Sequence, residues 1–124
     1  MKPIFIKAVI FTVFALIAVS CEDMGNQKIP TSTIYGEVYF PNGNLCQGAF
    51  VQLRKINDNG SYTPTQATIT NQNGKYELVA ETNSGNYRIY SAVSYTNGES
   101  YSGEFSFWLV AGKRQEVNLI IFKN

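Results

Sequence analysis

The chain has 124 residues, 44% of them hydrophobic and 15% charged, with a formal net charge of +1 and no histidine. That length is one domain of ordinary size. Charges of both signs are spread without a basic stripe, which excludes a phosphate-backbone partner, so no nucleic acid is expected. Without histidine the common zinc-ligand sets, the serine triad and the usual general base are missing too.

In chain order, Met1 to Lys7 carries two lysines and leads into "AVIFTVFALIAV", Ala8 to Val19, which holds no charge. A basic head, an apolar run of roughly 7–15 residues and small residues at its end have the pattern of an export signal. A membrane-crossing helix would need about 20 apolar residues, and Lys7 on one side and Cys21-Glu22-Asp23 on the other close the run. Residues 1–20 are therefore expected to be a signal peptide cleaved before Cys21. Lys2 and Lys7 leave with it, which turns the formal charge from +1 to −1.

Ala18-Val19-Ser20-Cys21 resembles the lipobox of bacterial lipoproteins. In that family the cut falls before an invariant cysteine that bears diacylglycerol on its thiol and an acyl chain, such as palmitate, on its new amine. Ala18 stands where the motif favours Leu. Ala18-x-Ser20 also satisfies the small-x-small rule of ordinary signal peptidase, which would cut the same bond and leave the thiol bare. The resemblance implies lipid attachment at Cys21, a membrane anchor and residence in the bacterial cell envelope, at the outer membrane. "CEDMGNQKIPTS", residues 21–32, is polar and unpatterned, and reads as a flexible tether; residues 22–32 could reach about 36–40 Å when extended. Cys46 has two readings. It could pair with a bare Cys21 in an oxidising envelope, or sit unpaired as a small core residue beneath a lipidated Cys21.

From Thr33 on, apolar residues recur at every second position, broken by Gly and Asn every eight to twelve residues, which predicts an all-β domain over residues 33–124. "TIYGEVYF" sets Ile34, Gly36, Val38 and Phe40 against Tyr35, Glu37 and Tyr39. After "PNGN", "AFVQLRKI" turns Ala49, Val51 and Leu53 inward and Gln52 and Arg54 outward. "NDNGS" is a turn, Tyr62 to Thr65 around Pro64 has no clear assignment, and "ATIT" is a short strand. "KYELVA" puts Tyr76, Leu78 and Ala80 inward. "NYRIYSAVSY" does the same with Tyr87, Ile89 and Val93. "SYSGEFSFWLV" places Tyr101, Phe105, Phe107 and Leu109 inward and Ser102, Glu104, Ser106 and Trp108 outward. "EVNLIIF" ends the series with Val117, Leu119 and Ile121 in phase. Seven antiparallel strands with one wet face each predict two sheets stacked as a β-sandwich.

Three pieces in order, Ile34-x-Gly36-x-Val38, Gly48-Ala49-x-Val51 and Asn73-Gly74-Lys75-Tyr76-x-Leu78, with a fourth at Gly85-x-Tyr87-x-Ile89, resemble the carboxypeptidase regulatory-like domain of the transthyretin (prealbumin-like) fold. The resemblance covers roughly residues 33–122. Leu45 stands where the family often has Pro, and Asn71 where it often has Asp. It implies a prealbumin-like sandwich and a non-catalytic module attached to other machinery.

Asn57–Gly60 and Asn71–Gly74 look superficially like calcium loops but lack the carboxylates and the bidentate Glu such a loop needs; Asn-Gly between strands reads as a hairpin turn. Glu37, Glu77, Glu81, Glu99, Glu104 and Glu116 are scattered over solvent-phase and turn positions. No catalytic residue, metal or cofactor is expected. Tyr35, Tyr39, Tyr90 and Trp108 fall on the solvent phase, where aromatics either pack across strands or offer a platform for a sugar. The chain reads as a non-enzymatic envelope lipoprotein that presents a sandwich to a protein partner, with glycan or small-ligand binding through those four aromatics as the alternative.

Overall fold

The computed structural model describes residues 29–124. The expected signal peptide, Cys21 with its lipid, and most of the expected tether lie outside the described residues. Within them the period-two pattern becomes β1 (Thr31–Tyr39), β2 (Phe50–Ile56), β3 (Tyr62–Ile69), β4 (Lys75–Glu81), β5 (Gly85–Ser94), β6 (Ser100–Leu109), β7 (Arg114–Glu116), β8 (Leu119–Ile120) and β9 (Phe122–Lys123), with no helix among the described residues. Thr31 and Ser32, expected in the tether, open β1. Ser32 is fully buried, and its Oγ accepts a bond from the Gly112 N–H at 2.9 Å.

The strands form two sheets. In the smaller one β1 pairs antiparallel with β4 on one side and parallel with β7 and β8 on the other. The larger has the order β3-β2-β5-β6-β9, antiparallel throughout. Two expectations are corrected here. The described residues form nine strands rather than seven, and their pairing is not wholly antiparallel. "EVNLIIF" has one alternation but two partners: it runs beside β1 as far as Ile120, crosses between the sheets, and joins β6 from Phe122.

That crossing needs room at two mid-strand glycines. A Cβ on Gly36 would overlap the Val117 carbonyl, and one on Gly103 would overlap that of Ile120. Both strands therefore let a second backbone lie directly on them, which a side chain would forbid. Val117 N–H donates to Tyr35 O at 2.8 Å, Ile121 N–H donates to Tyr39 O at 2.9 Å, and the buried Tyr76 hydroxyl donates to Val117 O. Burial pushes the Tyr76 phenol well above its ordinary value, with Glu116 adding to the rise.

Between the sheets Ile34, Val38, Val51, Leu53, Ile89 and Ile121 are completely enclosed, in the phase the alternation predicts. Cys46 is also fully buried, as expected of a small core residue. Thr70 fastens the loop before β2: its Oγ1 donates to Cys46 O at 2.7 Å and accepts from Ala49 N–H at 2.8 Å. Asn71–Gly74 is a turn, as predicted. Asn71 Oδ1 accepts from the N–H groups of Asn73 and Lys75, and Gly74 sits at φ 71°, where glycine is favoured.

The five-stranded sheet is wider than the one it covers and overhangs it on both sides. On one flank β3 is exposed along nearly its whole length. Pro64 is tolerated there because an edge strand needs no N–H on its free side, and the register slips between Leu53 and Arg54 beside it. On the other flank, β6 runs beyond the cover. Phe105, expected inward, is 51% exposed although its neighbour across the ladder, Ile89, is completely buried. Its phase is right, but nothing lies over it.

Candidate functional site

Three surfaces carry groups able to engage another molecule. The first is the outer face of the smaller sheet. The ladder sets Glu37 opposite Lys75 and Tyr35 opposite Glu77, while Arg114 and Glu116 enter from β7. Lys75 Nζ lies 3.4 Å from Glu37, Arg114 lies 3.8 Å from Glu77, and the Arg114 guanidinium covers the Tyr35 ring at 4.1 Å from its centroid. The Tyr39 hydroxyl donates to Glu37. That bond, helped by Lys75 and opposed by partial desolvation, holds the Glu37 carboxyl below its ordinary range. Tyr35, Glu37, Lys75, Glu77, Arg114 and Glu116 line an open concavity of about 630 Å³ whose rim includes Ile69. Two of its three carboxylates are paired with its two cations, and Glu116 accepts only from the Asn118 amide, so it offers an incoming ligand little net field.

The second surface is the outer face of the larger sheet. Arg54 lies between two rings, 4.1 Å from the Tyr62 centroid and 4.0 Å from that of Tyr90, with its Nε donating to Gln52 at 2.7 Å. Arg88 pairs with Glu104 at 3.4 Å. Trp108, 57% exposed, stands opposite Asn86, whereas Tyr90 stands opposite Glu104.

The four aromatics of the sequence reading are therefore divided. Tyr35 and Tyr39 lie on one outer face, Tyr90 and Trp108 on the other, and four residues of β6, about 13 Å of strand, separate the last two. Tyr35 and Tyr90 each have a ring face occupied by an arginine. Trp108 is the most open of the four. Cys21 lies outside the described residues. No group of three His, Cys, Asp or Glu among the described residues could hold a metal ion.

The third surface is the free edge of β6. β9 pairs with Tyr101 and Ser102, and the Asn124 N–H closes on Ser100 O at 2.9 Å. At the other end the Gln115 side chain takes the place of a strand: its Nε2 donates to Trp108 O at 3.1 Å and its Oε1 accepts from Val110 N–H at 2.8 Å. Between these clasps no described strand pairs with β6 on that side. Because Ser100 and Trp108 both face this edge, the alternation of an antiparallel ladder turns the N–H and C=O of Glu104 and Ser106 to it as well. Phe105 and Trp108 flank the edge in the open, with Phe107 half-buried between them. Sequence alternation did not mark this site, since an unpaired edge and a paired one carry the same pattern. The local signal was "EFSFWL", strand-forming residues with one charge and no proline.

No protein-family model matches the chain, and a comparison with curated proteins found no match. Among solved structures the chain is similar to (S)-allantoin synthase, with a TM-score of 0.54 at 13% identity over 77% of this chain and 41% of that one. It is also similar to a 9R-lipoxygenase from Cyanothece PCC8801, with a TM-score of 0.50 at 8% identity over 82% of this chain and 18% of that one. The chain spans less than half the length of either protein, and at such identities the likeness concerns the fold alone: this is a two-sheet, all-β chain of a shape that recurs as part of larger proteins.

Proposed function

We propose that the chain is an exported lipoprotein, anchored through Cys21 in the bacterial envelope, whose sandwich is a prealbumin-like module of the carboxypeptidase regulatory-like kind and serves to bind a protein rather than to catalyse a reaction. The observation that carries the reading is the open β6 edge, with backbone donors and acceptors facing outward between exposed aromatics. Such an edge takes an added strand from a partner, using main-chain bonds for affinity and flanking side chains for choice. The motif positions support the module: Gly36 admits the Val117 backbone, and Gly48 and Gly74 sit at positive φ in the turns on either side of β2 and β3. The lipobox resemblance at Ala18 to Cys21 supports the anchor.

Chemical cross-linking of intact envelopes, followed by capture of the chain, tests the contact role; a chain that emerges solitary under all cross-linker lengths refutes it. Intact mass of the membrane fraction tests the anchor, and a Cys21 without acyl mass removes it. The exposure of Trp108 favours a second reading, glycan or small-ligand binding. Trp108→Ala should then weaken retention on polysaccharide gels, and unchanged mobility across a glycan panel eliminates that reading.

A further inference from the structure

We propose that the free edge of β6 docks a second copy of this chain, β6 against β6 in antiparallel, with the two-fold axis at Ser106; this rests on reading the edge as a protein-contact site. The two clasps fix the geometry. β9 blocks the edge up to Ser102, and at the far end the Gln115 side chain holds both the Trp108 carbonyl and the Val110 N–H. Once the Gln115 amide yields Trp108 O to an incoming strand, the window is residues 103–109, and a symmetric antiparallel pair that fills it is centred on its middle residue, Ser106. Ser106 turns its own N–H and C=O outward, so the central pair would exchange both bonds with its twin. Trp108 N–H would meet Glu104 O of the other copy, and Glu104 N–H would take the place of the Gln115 amide on the other copy's Trp108 O.

The side chains agree with that register. On one face Phe105 falls opposite Phe107 of the second copy, a cross-strand aromatic pair of the kind that stabilises sheets. On the other face Ser106 meets Ser106, and Glu104 meets Trp108, so no like charges oppose each other. Glu104 keeps Arg88 as its ion partner at 3.4 Å. Among the larger sheet's long strands only β6 has this fitness. The opposite edge, β3, carries Pro64 and the register slip, which blunt it against pairing. Pairing through β6 would join two five-stranded sheets into one and cover the exposed Phe105.

The experiment uses the full chain. Sedimentation equilibrium in detergent should give a dimer for the parent and a monomer for Ser106→Pro, which removes one outward N–H and is tolerated at an edge. Should Ser106→Pro lose the fold by circular dichroism, Ser106→Lys, which sets two ammonium groups at the axis, should give the folded monomer instead. In membranes, mild oxidation of Ser106→Cys should produce a species of twice the chain mass, because facing residues of a bonded pair lie about 5.5 Å apart at Cα, within disulfide range; Asn97→Cys, in the turn at the far end of the hairpin, should not. A monomeric parent, or a Ser106→Cys adduct with the segment before Ile29 or with a protein of another mass, overturns the second copy as occupant. If the parent is monomeric but Ser106→Lys abolishes its envelope cross-links, the contact reading stands without the dimer; if those cross-links persist unchanged, both fall.

Discussion

Among the described glycines, Gly36 leaves the least room for an added methyl group. The added Cβ would fall on the Val117 carbonyl and lie 2.9 Å from Asn118 Oδ1, so the C-terminal segment must move off β1. Three bonds depend on its present position: Val117 N–H to Tyr35 O at 2.8 Å, Glu37 N–H to Asn118 Oδ1 at 2.9 Å, and the Tyr76 hydroxyl to Val117 O. Overpacking a close contact costs about 1–3 kcal/mol, and each weakened bond about 0.5–1.5 kcal/mol. A net loss of roughly 2.5–7.5 kcal/mol follows, a large part of the roughly 5–15 kcal/mol that holds a domain together. At about 4–8 °C per kcal/mol for a domain of this size, the melting temperature should fall by at least about 10 °C. Urea and thermal unfolding followed by circular dichroism measure it. Gly43→Ala is the control: its Cβ meets nothing within 4 Å and only the positive φ of 90° opposes it, so a loss of about 1–2 kcal/mol is expected. A Gly36→Ala loss under about 0.5 kcal/mol, or one smaller than that of Gly43→Ala, would refute the argument that the segment rests directly on the glycine.

Thr70→Val keeps the shape but strands the Ala49 N–H and the Cys46 carbonyl in the interior, and should cost about 2–3 kcal/mol in the same unfolding assays. Glu37 should titrate below its ordinary 4.5, through the Tyr39 bond first and Lys75 second. A depressed folded-state value means the carboxylate's contribution is present above the unfolded value and is lost as pH falls through the folded one. Carboxyl-carbon NMR titration checks this, and Tyr39→Phe should move the midpoint upward. Burial raises the Cys46 thiol, with the Tyr95 hydroxyl opposing. Cys46 should therefore resist maleimide in the folded chain and react on denaturation without reductant; failure to react then would instead indicate a bridge to Cys21.

Side-chain alternation was enough to place the interior of β1, β2, β4 and β5, because each of those strands has one face pressed on the opposite sheet. It failed where burial and phase part company. Phe105 and Ile89 sit opposite each other in the same phase, yet only Ile89 lies under the smaller sheet, and no feature of "SGEFSFW" records the width of the sheet above it. The stretch around Pro64 was unreadable for a related reason: an overhanging edge strand has no buried face to impose a period. In the last segment Val117, Leu119 and Ile121 were legible as inward residues. Their parallel partner was not, since strand direction is written in the backbone bonds. The aromatic candidates suffered from the same gap, as Tyr35 and Tyr90 share a phase but belong to different sheets.

The parallel seam between β1 and the strands β7 and β8 has a mechanical consequence. A load entering at Thr31 and leaving through Ile120 pulls neighbouring strands in opposite senses along their length, so the bonds of the seam resist together in shear. A peeling load on an antiparallel hairpin such as β5 and β6 breaks its rungs one after another. Tension applied along that axis should meet a sandwich that yields late and abruptly, at a threshold set by how fast the seam ruptures.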